Sequence, residues 1–453
     1  MNKLYIHILT GLFLITTLTA CDNFLDIVPK GQVIPEETEE YKALLTRGYN
    51  VFPRNKELLQ MRGVQITPNI DPYGLSGFPA FRNIYTWQDN ADTQGHTEEY
   101  TYASFYTVIF HANSIIMDIS EASAAGDPER AQLLGEAHLL RAYSYFELVN
   151  MYGPKYSEAE RDTKVVPINN TIDIEQTLAR ATLGELYDAI ESDLATAEKL
   201  MTVTQWEAPK DKFRASKEAV YAIASRVYLY KGDWAKSLSY SQKVLGVSTE
   251  MEDLNAAEPQ LPTNYKSAEN IWAMEDLFTF NVREYAFADQ TYYDSFDDND
   301  LRKQYYFSSL LDMNTWEEHP AQGKFNGKDF RASARRSEIY LNAAEAAARM
   351  GKDTEAKQYV ATLMSKRYNT DGFQSRQEAL QPLSGEALVT FILDERQKEL
   401  GIEGHEWYDY KRTTQPALTK VVEDKEYRLE QGDARYVLRI PTSAISNNPQ
   451  LTK

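Results

Sequence analysis

The sequence predicts a mainly α-helical fold in which tetratricopeptide-like helical hairpins pack against an irregular, loop-rich half. Three observations predict it. Apolar residues recur at helical spacing through most of the 453 residues. Two segments repeat each other about a glycine, as paired helices joined by a tight turn do. Two other stretches, residues 50–97 and 250–332, lose the helical pattern and fill with Pro, Asn, Asp and aromatic residues.

The first element is not part of that fold. Residues 1–20 hold one cation, Lys3, then the apolar run LYIHILTGLFLITTL, then Thr19 and Ala20. This is the layout of a secretory signal, too short and too weakly flanked for a spanning helix. The tetrapeptide LTAC ends on Cys21, the only cysteine of the chain, and reads as a bacterial lipobox. With no second cysteine, a disulfide or a thiolate-metal site is excluded from the mature chain, so Cys21 is expected to carry lipid. Buried acyl chains contribute about 0.8 kcal/mol per methylene, enough when several are present to hold a soluble body on a membrane. Residues 21–35 then form an acidic tether, and 36–453 a single domain with an N-terminal part over about 36–215 and a C-terminal part over about 216–453.

Within the domain, helices are expected around 98–122, 128–152, 182–200, 216–246, 333–368 and 384–400. Asp127-Pro128 supplies an N-cap with proline at the first helical position. Behind it Leu134, Ala137, Arg141, Tyr145, Leu148 and Tyr152 recur at helical spacing until Gly153-Pro154 stops the helix. Thr182 and Glu185 form a capping box at the start of the next helix. The repeat aligns Gly232 with Gly351; each is followed by a small residue (Ser237, Ala356) and a tyrosine (Tyr240, Tyr359) at equal distances. Tyr240 and Trp234 are assigned to the helical core. Arg141, Glu395, Arg396 and Glu399 lie on helices with apolar opposite faces, so they are read as buried ion pairs that fix helix register.

The formal charge of −19 argues against nucleic acid and against adhesion to anionic lipid. Thirty tyrosines against 18 phenylalanines favour rings with a polar edge. Most are expected to pack between helices.

Several motifs in order resemble the SusD/RagB family of outer-membrane nutrient-binding lipoproteins of Bacteroidota. They are CDNFLDIVPKG after the signal, NIYTW with YASFYTVIFHAN (Tyr102 to Asn113), and GEAHLLRAYSYFELVNMYG. RRSEIYLNAAEAAARMG, ILDERQKELGIEGHEWYDYKR and the closing RIPTSAISNNPQLTK follow. The resemblance spans nearly the whole chain, although the family's usual final Gln-Asn…Gly-Tyr is missing and the 250–332 stretch is short. It implies a SusD-like helical fold, exposure on the outside of the outer membrane, and partnership with a SusC-like TonB-dependent transporter for which this chain is a binding lid.

No HExxH, GxSxG elbow or phosphate-cradling glycine loop is present, and no carboxylate pair stands in a recognisable catalytic setting. The chain is therefore read as non-catalytic and without a cofactor. DSFDDND offers oxygens from Asp294, Asp297, Asp298 and Asp300 at spacings a calcium ion could use. It lacks the loop glycine and terminal Glu, and a solvated acidic turn is the preferred reading. Ligand-binding candidates are rings outside the helical pattern and beside polar groups, because sugar C–H faces pack on aromatic rings while hydroxyls need Asp, Asn or Arg. These are Tyr73 (beside Asp71), Trp87 (beside Asp89 and Asn90), Tyr292, Tyr293, Phe296 and Trp316. Trp87 also has a packing reading, since it precedes a core helix. The expected cargo is oligosaccharide; a peptide cargo, a surface glycoside hydrolase and a scaffold without ligand are the alternatives.

Overall fold

The computed structural model describes residues 37–53, 56–70, 78–88, 101–124, 126–277, 286–325 and 327–452. The expected signal, Cys21 and the tether lie outside them, as do Tyr73, Asp89 and the neighbouring Asp71 and Asn90. The chain divides into two compact units, Met1–Tyr41 and Lys42–Lys453, and the helical frame belongs to the second.

Helices α1 (Thr38–Asn50), α2 (Lys56–Arg62) and α3 (Phe78–Tyr85) come first. The frame is α4 (Tyr102–Asp118), α5 (Pro128–Tyr152), α6 (Leu183–Leu200), α7 (Lys217–Lys231) and α8 (Trp234–Val247). Short α9 (Gln290–Asp294) and α10 (Leu301–Tyr305) interrupt it. It resumes with α11 (Arg336–Arg349), α12 (Asp353–Met364), α13 (Thr370–Leu380) and α14 (Gly385–Leu400), followed by α15 (Glu406–Arg412) and α16 (Thr442–Asn447).

The central helix is α5. The Asp127 carboxylate accepts from the N–H groups of Glu129 and Arg130, satisfying two of the donors that a helix start leaves bare. Arg141 is the one half-buried residue between Ala131 and Tyr152, the rest being buried. Helices α4 and α6 pack on α5. Arg141 is neutralised by a two-pronged pair to Asp193 of α6, at 2.8 and 2.7 Å. The Thr182–Glu185 capping box is formed in full at the start of α6.

The two repeats form helical hairpins, α7–α8 and α11–α12, and α8 packs on α11 so that they stack. Their turns rest on Gly232 (φ +81°) and Gly351 (φ +73°), backbone angles at which a side chain is strained. Ser237 and Ala356 are buried in the second helix of each hairpin, small enough for the two helices to approach closely. Tyr240 and Trp234 depart from the expected core placement, both being half-buried. The Tyr240 ring stacks on Tyr228 at 5.5 Å and its hydroxyl donates to Glu198. Trp234 lies under the guanidinium of Arg349. Their amphipathic rings suit the outer edge of the hairpin.

The remaining half is irregular. Its strands are β1 (Ile66–Pro68), β2 (Asn270–Trp272), β3 (Ala286–Ala288), β4 (Phe307–Leu311), β5 (Glu318–Gln322), β6 (Ala334–Arg335), β7 (Leu418–Val422) and β8 (Lys425–Leu429). They pair antiparallel as β1–β3, β2–β6, β4–β5 and β7–β8.

A buried ion network joins this half to the helices. Arg302 of α10 donates to Asp300 and Glu395, and Arg367 to Glu269 and Glu399. Arg335 of β6 pairs with Glu269, Glu399 and Glu403. Arg396 pairs with Asp409 at 2.8 Å. Charges taken out of water this way are tolerated only because nearly every donor meets an acceptor.

Candidate functional site

The two stretches whose sequence loses the helical pattern carry short helices after all, α2 and α3 in the first and α9 and α10 in the second, and they meet. Strand β1 from the first pairs with β3 from the second, in the register Ile66↔Ala288, Thr67↔Phe287 and Pro68↔Ala286. Asp289 follows β3, caps α9 through the N–H groups of Thr291 and Tyr292, and accepts from the Thr67 hydroxyl. The β4–β5 hairpin then lies against the same strands. The amide of Asn69 donates to Leu311 O at 3.4 Å, and that of Asn314 to Ile70 O at 2.7 Å. The rings of Phe287 and His319 are 4.9 Å apart.

The hairpin tip, Asp312 to Glu317, is built around one carboxylate. Asp312 accepts from the Asn314 N–H at 2.7 Å and from its side-chain amide at 3.0 Å. Slight burial would raise the Asp312 carboxyl, but the hydrogen bonds from Asn314 outweigh it and hold it below the ordinary aspartate range. The Trp316 N–H donates to Asp312 O, and the Asp312 N–H to Glu317 O, both at 2.8 Å. Trp316 is thereby held at φ +61°, a conformation that disfavours a bulky side chain. Its indole is 67% exposed, with Leu311 and Met313 exposed beside it. An aromatic face held out from a hydrogen-bonded turn, with amide and carboxylate groups alongside, can stack on an apolar ligand face and hydrogen-bond its rim.

The other candidate rings are placed differently. Tyr292 is half-buried; its hydroxyl donates to Gln397 O at 3.3 Å, and burial pushes its phenol well above the usual range. It also presses on Gly401, where an added Cβ would meet its oxygen at 1.8 Å. Tyr293 is half-buried with its ring edge-on to Phe307 at 5.0 Å. Two expectations need correction. Phe296 is fully buried, packed at 5.3 Å from Tyr292 and 5.0 Å from Phe307, as the centre of a small aromatic core under the hairpin. Trp87 is also fully buried; its indole N–H donates to Arg62 O at 2.9 Å and the ammonium of Lys420 lies 4.5 Å from its ring. Neither ring has a face to offer a ligand.

The four aspartates do not fit a calcium ion. Asp300 turns inward onto Arg302 and is buried, while Asp298 pairs with Lys303 on the surface. Asp294 accepts from Gln290, and Asp297 from the N–H of Asn299. Among the described residues no group of three or more His, Cys, Asp or Glu is arranged to hold a metal ion. Leu311, Met313 and Asn314 were not anticipated in the site. Neither flanking strand, FSSLL or EHPAQ, alternates, so the local cue is weak: Asp312 and Asn314, turn-forming residues between two short stretches.

Comparison with known proteins places this architecture. A SusD-like family model described as starch-binding and associating with the outer membrane matches residues 23–229, and the SusD family model matches residues 246–453. The chain belongs to the SusD/RagB family. Members in Formosa agariphila include SusD-like protein P25, 21% identical over 98% of this chain and 97% of its own length. SusD-like protein P38 of the same organism is 22% identical over 89% of this chain and 91% of its own length. The crystal structure of a SusD superfamily protein from Bacteroides thetaiotaomicron superposes with a TM-score of 0.75 at 22% identity, covering 92% of this chain and 99% of that one. A SusD-like carbohydrate binding protein from Bacteroides vulgatus gives 0.71 at 21% identity, covering 92% and 98%. Among the described residues no helix is long and apolar enough to cross a membrane.

Proposed function

We propose that this protein is a lipid-anchored binding protein that captures oligosaccharide on the outer face of the outer membrane. It hands the sugar to a SusC-like TonB-dependent transporter and performs no chemistry on it. The observation that carries this reading is Trp316, a large ring held outward at positive φ by a hydrogen-bonded turn. Strained backbone persists where the surrounding structure over-determines it, and such positions cluster at ligand sites. Supporting it, the Bacteroides vulgatus relative is described as carbohydrate binding. Tyr293 at the hairpin base and Trp316 at its tip are separated by strands of five residues, about 14 Å at roughly 3.4 Å per residue. That length suits several sugar units in a row.

Titration calorimetry of the mature protein with a panel of neutral oligosaccharides tests this. One sugar is expected to bind, and Trp316→Ala to weaken it about tenfold or more while the melting temperature stays put. Equal affinity in the variant would move the site elsewhere. Leu311 and Met313 beside the indole would also suit an apolar peptide side chain, so a tryptic peptide pool belongs in the same panel. The anchor has its own test: Cys21→Ala should release full-length protein from the membrane and abolish fatty-acid labelling, and undiminished labelling would refute it.

A further inference from the structure

Glu406 opens α15, but its side chain serves the chain on the far side. It is buried, and its two oxygens accept from the Val64 N–H at 3.0 and 3.1 Å. The second oxygen also lies 3.4 Å from the Gln65 N–H. Glycine at 63 permits this approach, since a Cβ there would stand 1.7 Å from a Glu406 oxygen. From Gln65 a continuous path leads to the Trp316 turn. Gln65 O accepts from the Asp289 N–H at 2.9 Å, and β1 begins at the next residue. Beyond β1, Asn69 donates to Leu311 O, and Ile70 O accepts from the Asn314 amide, two residues before Trp316. The same segment is tied to the α14–α15 junction. The Gln60 amide donates to Ile402 O at 2.7 Å, and Gln65 Oε1 accepts from the Ile402 N–H at 2.9 Å.

Gln60 supplies the second observation. Its Oε1 is buried without a hydrogen-bond partner, and Gln60, Gln65 and Glu406 line one cavity too tight to hold a water molecule. A bare buried amide oxygen is costly, and a protonated carboxyl can donate to it where a carboxylate can only accept. The two forms of Glu406 therefore favour different partners, Val64 and Gln65 when ionised and Gln60 when protonated. We propose that Glu406 is a positioning residue for the sugar site. As a carboxylate it fixes the start of β1, and through β1 the turn that presents Trp316; on taking a proton from solvent it turns to Gln60 and releases the strand. This rests on the sugar reading of the Trp316 turn. Burial pushes the Glu406 carboxyl up to about 7, against the pull of the Val64 N–H, the Tyr410 hydroxyl and the Lys420 ammonium of β7. Tyr85 of α3, Tyr292 of α9 and Tyr436 also face it, as phenols that burial keeps neutral. Lys56 of α2 packs on Gly404, with its ammonium turned to Ala332 O and Glu275. A carboxyl raised on folding lowers stability as pH climbs from the ordinary glutamate range to about 7, and the loss is complete above that. Sugar affinity should move the other way, because the ionised form presets the turn. A residue that only held the fold together would move both in one direction.

Glu406→Gln tests this, since an amide can donate to Gln60 while accepting from Val64 and so imitates the protonated carboxyl. The mature protein, labelled with 5-fluorotryptophan, is titrated by fluorine NMR across neutral pH, with the Trp316 line assigned by its loss in Trp316→Phe. Without any sugar, that line should shift in the wild-type protein with a midpoint of about 7. In Glu406→Gln it should stay at the wild-type acid position. Gln60→Met, which removes the bare acceptor, should lower the midpoint. Calorimetry with the oligosaccharide that binds should show the wild-type protein about fivefold tighter at pH 8 than at pH 6, and Glu406→Gln at the weaker value throughout. At pH 8 the variant should melt no lower than the wild-type protein. Both measurements are repeated with His319→Gln, which removes the only imidazole of the β4–β5 hairpin. Lys411, whose ammonium burial brings down to about 7 against Asn150 O of α5, is common to every protein compared. A wild-type Trp316 line indifferent to pH, or one that titrates equally in Glu406→Gln, overturns the inference whatever the sugar does. Early melting of Glu406→Gln at pH 8, with affinity lost equally at every pH, overturns it too and leaves Glu406 a structural residue. If the line titrates as expected and no sugar binds at any pH, the sugar reading falls while the hold of Glu406 on the turn stands.

Discussion

Trp87 and Trp316 look alike to a reader of the chain, since both lie outside the long helices and beside polar residues. Both even adopt positive φ, +56° and +61°. The difference is what surrounds them: Trp87 closes against Arg62 O and Lys420, while Trp316 faces solvent. Residues distant in sequence supply Trp87's surroundings, so the sequence left its packing reading open beside the ligand-binding one, and the burial decides for packing. Opposite phenotypes are expected. Trp87→Ala should lower unfolding free energy by about 3–5 kcal/mol, through lost burial and a cavity, with sugar affinity intact. Trp316→Ala should weaken the sugar by about 1.4 kcal/mol or more, one decade, with stability intact. Trp316→Gly should be more stable than Trp316→Ala by several tenths of a kcal/mol or more, because glycine relieves the positive φ that alanine retains. Parallel calorimetry and thermal melts read all three, and a binding loss in Trp87→Ala without early melting would reverse the two assignments.

At the scale of elements, legibility followed how local each signal was. The Asp127-Pro128 start, the Thr182–Glu185 box and the two glycine turns lie within a few residues of the structure they specify, and each formed as read. The β7–β8 hairpin was missed. Its register, Val422↔Lys425, leaves a two-residue turn of Glu423 and Asp424, both at positive φ, where the usual signal is Asn-Gly. The β4–β5 hairpin was also missed, its strands being short and its tip rich in residues that read as loop. The Gly351 turn offers a clean test of the repeat. A Cβ there would meet nothing within 4 Å, so Gly351→Ala changes backbone preference alone. It should cost about 1–2 kcal/mol, the penalty for an L-residue in the left-handed region. Urea unfolding should show a lower midpoint with unchanged slope. An unaltered midpoint would mean that the turn relaxes freely and does not hold the hairpin.

Across the whole molecule, a buried ion network ties the irregular half to the helical frame, alongside apolar packing such as Phe52 and Trp272 against Tyr143. Sequence could place Glu395 and Glu399 on a buried face but could not name their partners, because these lie far along the chain on α10, on β6 and after α12. Glu395 accepts from Arg302 and Tyr368, both at 2.8 Å, and from Arg376 at the helix edge. Burial by itself would raise its carboxyl, but the Arg302 and Arg376 guanidinium groups override that and hold it at about 2. A carboxyl depressed on folding contributes stability that is fully present above its unfolded value near 4.3, and loses it as pH falls towards 2. Glu395→Gln removes that contribution and leaves Arg302 under-neutralised, so stability at pH 7 should drop by about 3–5 kcal/mol. The loss should shrink between pH 4.5 and 2, where the wild-type carboxyl is itself becoming neutral, so the variant's stability curve is shallower in that window. Because Arg302 sits on α10, just before β4, amide exchange over 307–322 should quicken in the variant before exchange in α5 does. Denaturant unfolding at a series of pH values, with hydrogen exchange at pH 7, reads both effects. Parallel pH curves for the two proteins would show that folding does not shift the Glu395 carboxyl, and unchanged exchange over 307–322 would show that the hairpin is held by packing and not by this network.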